Sequence, residues 1–466
     1  MTQPWKRCQL RMATAMGAAL ALGMAASPAQ AADDPSLRDR IEQMERELAA
    51  LKAQVAGKPD TVAASGPPAQ AQPAIVPSRP EPLSRRLALP DSPLSGSRLL
   101  IAGYADAGLT FSDKESVGGT TFIAGTFNPA LFFQYGDWLL FEGEAEIEIS
   151  EAGETEFTLE YSQLDLLLHD NATLVIGKFL SPVGQFQERL HPSWINRLAD
   201  APAGFGHDGL QPGAEVGLQL RGGVPVGRSR LNYALAVGNG PRLDAMGAVM
   251  TEGFGGDDNR NKAISGRIGI LPIPYVEVGV SFLRAKVRGA MAQAEGEEME
   301  SASLPASIAS VEGGGAEGPV LPAVRYSLWG VDAAYTRGPW DVRFEYLSGV
   351  RKAIPVEDED GMAMEPLPRL KMKAWYGQLA YRLSGVTQHP ILQNLEPAIR
   401  YGRYQVRGLD ELAEEAAERR LDIGLNYWLA PAIVLHSAVQ LRKFTARHED
   451  EDDKDTRLLL QLAYGF

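Results

Sequence analysis

The residues with the strongest chemical character are four glutamates at every second position, Glu142, Glu144, Glu146 and Glu148. Side chains of a β-strand alternate between its two faces, so this spacing puts all four carboxylates on one face and small or apolar residues on the other. Turning each acid toward lipid would cost roughly 1 kcal/mol, so the reversed register is strongly disfavoured. The carboxylates are therefore expected to border water, as channel-lining groups.

Arginines flanked by apolar or aromatic residues form a second set, in later segments of the chain. The same alternation places them on the hydrated face: Arg221, Arg267, Arg343, Arg382, Arg400, Arg442 and Arg457. Acids on early strands and arginines on later ones would produce a transverse field across a narrow channel, ordering water and polar solutes. The alternative is that these charges only solvate the wall.

The histidines offer no catalytic group by their spacing. There are six, at His169, His191, His207, His389, His436 and His448. None has a serine and an acid at a persuasive distance along the chain. We therefore predict that the chain is not an enzyme and has no catalytic residue, metal site or cofactor. The net charge of −14 argues against nucleic acid as a partner.

The elements that must position these charges are β-strands. The chain ends with Leu458, Leu460, Leu462, Tyr464 and Phe466 on one strand face. An apolar row that ends in aromatic residues is typical of a membrane β-barrel, whose aromatic girdle lies at the bilayer interface.

Alternation predicts sixteen strands, with boundaries uncertain by ~2 to 4 residues. They are expected near 98–111, 121–134, 137–150, 154–168, 171–180, 213–223, 229–238, 261–271, 274–288, 324–337, 339–350, 370–384, 395–407, 418–430, 432–447 and 454–466. Tight turns alternate with longer polar loops, as in outer-membrane barrels. Two connections depart from this pattern, the short 151–153 and the long 385–394. The predicted fold is all-β, a sixteen-stranded antiparallel transmembrane β-barrel, over residues 98–466.

The third external loop, 181–212, combines apolar anchors such as Trp194 and Phe205 with charged residues. If it folds inward it narrows the pore, and its charges set selectivity. The predicted constriction residues are Arg189 and Arg197 in the loop and Lys178 at its edge. The alternative is an external cap without a role in conduction.

Residues 1–31 have the features of a signal peptide, with basic residues, a short apolar run and an A-x-A site at 29–31. A membrane anchor is the alternative, but the run is shorter than the ~20 residues that a spanning helix needs. The only cysteine, Cys8, leaves with the signal. The mature chain is therefore expected to have no disulfide.

A short coiled-coil helix is predicted over 32–57, because apolar residues recur at intervals of three and four. They are Leu37, Ile41, Met44, Leu48, Leu51 and Val55. The alternative is a solitary amphipathic helix. Residues 58–97, rich in Pro and Ala, are predicted to form an extended linker.

The chain resembles the phosphate-selective porin family of outer-membrane proteins, through the segment GKFLSPVG at 177–184 and the terminal YGF at 464–466. The resemblance implies a sixteen-stranded, usually trimeric channel over residues 98–466. In that family a constriction rich in lysine and arginine selects anions. The N-terminal coiled coil also resembles that of some porins that take up small acids.

These observations predict a passive porin in the outer membrane of a Gram-negative bacterium, with its stalk in the periplasm. It would be a homotrimer in contact with outer-membrane lipid, and would admit small hydrophilic solutes or ions, including phosphate or other small anions. A structural tether between the outer membrane and the cell wall is the alternative function.

Overall fold

The computed structural model describes residues 97–113, 119–150, 153–206, 209–244, 247–251, 255–256, 260–290, 320–356, 362, 365–408, 416–445 and 454–466. The predicted signal peptide, coiled coil and nearly all of the linker, residues 1–96, lie outside this part of the chain. Within it, no helix is long and apolar enough to cross a membrane.

Two short strands, Arg242–Leu243 and Val249–Met250, pair in a small sheet of their own. The other described strands form one antiparallel sheet that closes on itself. They are β1 Ser97–Ser112, β2 Thr120–Ile123 with Thr126–Tyr135, β3 Leu139–Ile149, β4 Thr155–His169, β5 Ala172–Leu180, β6 Ala214–Val226, β7 Ser229–Gly238, β8 Ala263–Ile273, β9 Val276–Ala290, β10 Val320–Arg337, β11 Trp340–Arg351, β12 Leu370–Tyr381, β13 Leu395–Arg407, β14 Ala416–Ala430, β15 Ile433–Thr445 and β16 Lys454–Gly465. Each pairs with its neighbour in sequence, and β1 also pairs with β16, so the sixteen-stranded barrel predicted from alternation is confirmed.

The barrel closes where the two ends of the sheet meet. Gly103 and Phe466 exchange backbone hydrogen bonds of 3.1 and 2.9 Å, and Asp106 is the register partner of Ala463. Closure leaves no open sheet edge, so every strand finds backbone partners on both sides, as a lipid environment requires.

Strand β2 is interrupted at Gly125, which has a φ of +75°. A Cβ atom at this position would lie 1.9 Å from the carbonyl oxygen of Asp106 on β1. Only glycine therefore permits this close approach, and the strand resumes at Thr126.

The connections explain the two exceptions in the predicted pattern. The short one, after β3, is closed by a hydrogen bond of 2.9 Å from the Gly153 backbone N–H to the Ser150 carbonyl. The long one, after β12, contains two short 3₁₀ turns, Leu383–Gly385 and Leu392–Asn394. Neither changes the strand count.

Alternation along β16 agrees with the predicted orientation. Leu462 and Tyr464 are 44% and 40% exposed on the outer face, whereas Ala463 between them is fully buried. Large apolar side chains on the outside are expected where the surface meets lipid rather than water.

Candidate functional site: the inward loop and the barrel wall

The segment between β5 and β6, residues 181–213, folds into the barrel rather than over its mouth. Its apolar residues Val183, Phe186, Phe205 and Leu210 are buried in one cluster with inward side chains of β9 to β13. The Phe205 ring lies edge-on to Tyr376 of β12 at 5.0 Å between centroids. Burial of this apolar surface holds the loop against one side of the wall, and the predicted inward orientation is confirmed.

Polar contacts fix the first turn of the loop to the same side. The backbone N–H of Gln185 donates to a carboxylate oxygen of Glu345 on β11 at 2.9 Å, and that of Gly184 donates to the Ser281 hydroxyl on β9 at 3.2 Å. Gly184 has a φ of +78°, and a Cβ there would lie 1.8 Å from the Glu345 carboxylate. The loop and wall therefore fit only with glycine at this position.

The middle of the loop reaches the opposite side of the barrel. His191 lies 3.6 Å from the Glu144 carboxylate of β3. Its ring is also edge-on to Tyr104 of β1, at 6.1 Å between centroids. A nitrogen of the buried His436 on β15 contacts the Ser193 carbonyl at 3.1 Å. The loop thus crosses the lumen instead of lining one wall.

The loop is anchored again near its last third, at Asp200. Its carboxylate accepts hydrogen bonds from Arg420 of β14 at 3.0 Å and Gln440 of β15 at 3.2 Å, and its carbonyl accepts one from Arg400 of β13. Burial inside the barrel by itself would raise the pKa of this carboxyl, but the nearby Arg420 and the Gln440 hydrogen bond outweigh it and lower the pKa. The side chain is still 47% exposed toward the lumen, so water screens the pair and weakens it.

The alternating glutamates lie on the inner face, as their spacing predicts. Glu144 accepts a hydrogen bond of 3.1 Å from the Tyr104 hydroxyl, and Glu146 accepts one of 3.0 Å from Asn128. Glu142 lies 3.8 Å from Arg221 of β6. Glu148 is the register partner of Glu156 on β4, farther along the same face.

The predicted arginines also lie inside, but the acids that pair with them come from every part of the wall. The pairs are Arg221 with Asp165, Arg267 with Asp332 and Glu277, Arg343 with Asp341, Arg400 with Asp422, Arg442 with Glu418, and Arg457 with Asp455. Arg382 instead lies over the Trp428 ring, at 5.0 Å from its centroid.

The expected separation of acids on early strands from arginines on later strands is therefore wrong. Strands β10 to β16 carry both signs on the inner face. Most of the predicted arginines there pair with an acid on their own or a neighbouring strand, namely Arg343, Arg400, Arg442 and Arg457. Sequence reasoning missed these acids, although the same alternation would have placed Asp332, Asp341 and Asp422 inward.

The position of Lys178 also differs from the one predicted. Its strand neighbours Gly177 and Phe179 share the inner face with Thr173, the register partner of Arg221. Alternation turns Lys178 outward, and its ammonium group donates to the Leu159 carbonyl on β4. It therefore lies on the outer wall and not at the constriction.

The two predicted loop arginines each border a cavity between the loop and the wall. A cavity of about 320 Å³ has a charged lining of Arg189, Arg221, Arg230, Arg267, Asp170 and Glu188. A second of about 360 Å³ has a charged lining of Arg197, Arg343, Arg382, Asp341 and Glu396. Guanidinium groups outnumber carboxylates in both linings. Among the arginines of the two linings, Arg230 is the one that sequence reasoning did not single out.

Both loop arginines are held in place by acids. Arg189 donates to Glu277 of β9 at 2.8 Å. Arg197 lies 3.6 Å from both Asp341 and Glu396, and stacks at 5.2 Å over the Trp428 ring.

Among the described residues, no group of histidine, cysteine and acidic side chains is arranged to hold a metal ion.

Comparison with known proteins gives a family match for part of this chain. The family model described as phosphate-selective porin O and P matches residues 313–466. A search of curated proteins finds no match. The matched family is one of porins rather than enzymes.

Solved structures that are similar to this chain include three bacterial proteins. OmpTdeltaL8 of Vibrio cholerae is 13% identical over 80% of this chain and 100% of that chain, with a TM-score of 0.49. The anion-selective porin from Comamonas acidovorans is 12% identical over 79% and 100%, with a TM-score of 0.47. The outer membrane channel DcaP of Acinetobacter baumannii is 11% identical over 80% and 98%, with a TM-score of 0.46. The chain therefore has a closed sixteen-stranded barrel, and its residues 313–466 resemble the phosphate-selective porin O and P family.

Proposed function

We propose that this porin is a passive, anion-preferring channel for small hydrophilic solutes such as phosphate. The observation that carries the proposal is the inward loop, whose Arg189 and Arg197 each face wall arginines across a cavity. No chemical step is involved, and the solute would move down its own gradient.

The lining favours small anions for an electrostatic reason. Each lining has more guanidinium groups than carboxylates. The acids that pair with Arg189, Arg221 and Arg267 lie behind the lining, so an anion in the cavity meets N–H donors first, in surroundings of lower dielectric constant than water. Guanidinium groups bind phosphate and carboxylate oxygens through paired N–H donors.

Local pairing of the arginines favours transport over tight capture. A solute anion must compete with Glu277 for Arg189, and with Asp341 and Glu396 for Arg197. Conduction requires sites that bind well enough to admit an ion and weakly enough to release it. An arginine already in contact with an acid provides such a weak site.

We further propose that the barrel acts as a homotrimer, with the predicted coiled coil of residues 32–57 in the periplasm and 58–97 as its linker. The heptad spacing of the apolar residues in 32–57 supports this assembly. A helix of about three heptads is only marginally stable alone, so the larger barrel contacts would hold the helices together.

The test is a reversal-potential measurement on the purified full-length protein in a planar bilayer under a potassium chloride gradient. Wild-type protein is expected to give stepwise conductance and an anion-selective potential. The double variant Arg189→Gln, Arg197→Gln is expected to shift the potential toward cation selectivity. The matched control, Arg98→Gln with Arg228→Gln, removes the same charge from exposed positions outside both cavities.

Two outcomes would contradict the proposal. Folded protein that never conducts would exclude a channel. A conducting channel whose reversal potential is the same in wild type and in the double variant would remove the two loop arginines from the selectivity site. Replacing Glu142, Glu144 and Glu146 by glutamine provides the opposite test, with a shift toward anions expected.

A further inference from the structure

Two histidines contact the middle of the inward loop where it crosses the lumen. His191, in the loop itself, faces Tyr104 of β1 and Glu144 of β3. His436 of β15, two strands from β1 around the barrel, contacts the Ser193 carbonyl. The proposed anion selectivity makes no use of either ring, and neither borders the two arginine cavities.

The contacts of His191 indicate which of its nitrogens carries a proton. Nδ1 contacts the backbone carbonyl of Gln187, and a carbonyl oxygen only accepts, so Nδ1 carries the hydrogen. In a neutral ring Nε2 is then an acceptor. It lies 3.6 Å from a carboxylate oxygen of Glu144, and it is buried without a hydrogen bond to any described residue. Neutral His191 therefore turns a lone pair toward a carboxylate, whereas a protonated ring would turn an N–H donor toward it.

The charge around this contact is mostly negative. The Tyr104 hydroxyl donates to the same Glu144 oxygen at 3.1 Å and holds the carboxylate in place. The other ionisable groups nearby are Glu142 and Glu146 of β3, Glu160 and Tyr161 of β4, and Arg221 of β6. Arg221 pairs with Asp165, and within the loop Glu188 pairs with Arg189. A positive charge on His191 would therefore meet an acidic partner at contact distance.

His436 also lies between two acceptors. Nδ1 contacts the Asn426 side-chain oxygen at 2.8 Å, and Nε2 contacts the Ser193 carbonyl at 3.1 Å. The amide nitrogen of Asn426 donates to two other acceptors, so its oxygen faces the ring. Only a charged ring could donate to both sides. Full burial and the nearby Arg197 oppose that charge, so a response to pH falls to His191, which is 13% exposed.

We propose that protonation of His191 latches the inward loop to Glu144 and narrows the channel in acid. Histidine is the side chain that ordinarily gains its charge between pH 8 and 5. A hydrogen bond to a charged group shifts a two-state equilibrium by roughly tenfold to a hundredfold. The latch closes when the ring is charged, and it opens as rising pH removes the proton.

Only one side of the loop takes part in this change. The apolar cluster that includes Phe186 and Phe205 holds the other side against β9 to β13 and contains no titrating carboxylate or histidine. The loop thus has a fixed edge at this cluster and a pH-dependent edge at His191. The latch needs a conducting barrel, but it does not depend on which ions the barrel prefers.

The test is single-channel recording of the full-length protein in planar bilayers, in symmetric potassium chloride at pH 8 and pH 5. In wild type, we expect the ratio of time in the narrow state to time in the open state to rise at least about tenfold at pH 5. His191→Gln should show no such change. The matched control His389→Gln removes an exposed histidine in the connection after β12 and should respond as wild type does.

Two further variants test whether charge is the cause. His191→Lys is charged at both pH values and should hold the channel narrow at pH 8 as well as at pH 5. Glu144→Gln removes the partner, so acid should no longer narrow the channel. Amide hydrogen exchange of residues 190–195, corrected for its intrinsic pH dependence, gives a readout without conduction: protection should rise in acid in wild type and not in His191→Gln.

Three results would overturn the latch: a wild-type channel that is equally open at pH 8 and pH 5, a His191→Gln channel that keeps the full acid response, or a His191→Lys channel as open at pH 8 as His191→Gln. A channel that narrows in acid through His191 but shows no anion preference in the reversal-potential measurement would support the latch and contradict only the proposed selectivity.

Discussion

Replacing Phe205 by alanine should release the inward loop from the wall and widen the channel. Phe205 is 4% exposed, and its ring contacts Tyr376 at 5.0 Å and Phe186 at 6.4 Å between centroids. Removing a buried phenylalanine ring costs about 3–5 kcal/mol. If that cost falls on loop docking, the population with a detached loop rises by about two to three and a half powers of ten, at 1.4 kcal/mol per tenfold.

The assay is single-channel conductance in planar bilayers, combined with liposome swelling in sugars of increasing size. We expect Phe205→Ala to conduct more, with more current noise, and to admit larger sugars than wild type. The matched control is Phe157→Ala, which removes the same ring from the outer face of β4, where it is 66% exposed. This control should leave conductance unchanged.

Phe205→Ala protein that is folded, as shown by heat-modifiable mobility on gels, but has wild-type conductance, noise and size limit would contradict this prediction. A Phe157→Ala variant that changed the channel to the same extent would also contradict it. Either result would mean that the apolar cluster does not hold the loop in place.

Three further predictions concern the same loop and the predicted stalk. Gly184→Ala should also widen the channel, because its Cβ would meet the Glu345 carboxylate. The control Gly153→Ala has a similar positive φ but open space around it, and should leave the channel unchanged. Equal conductance in the two variants would contradict this prediction. Asp200→Asn should raise current noise only slightly, because a partly exposed ion pair contributes about 1 kcal/mol or less to stability. A loss of anion selectivity as large as that of the arginine variants would contradict this prediction. Deleting residues 32–96 should lower the temperature at which oligomers dissociate on gels, without changing single-channel conductance. If the oligomers stay stable and the outer membrane detaches from the cell wall instead, the result would favour the alternative function as a structural tether.

The sequence determined the strands because their signal is local. The alternation of apolar side chains at every second position, as from Leu458 to Phe466, is set by the geometry of a single strand. The free-energy cost of placing Glu142 or Glu144 against lipid then decides which strand face borders water. These constraints act on each strand separately, so the strand count and the inward position of the arginines followed without knowledge of any contact.

Only the tertiary structure decided how the interior is filled and neutralised. Which acid meets Arg267 or Arg400 depends on strand register, and the contacts of Phe205 and Asp200 join loop residues to strands more than 170 positions later. The mistaken position of Lys178 has the same origin, because a residue next to a loop was assigned to the constriction by proximity in sequence rather than by its face. Pairings between distant parts of a chain arise from packing in three dimensions, which a local period does not encode.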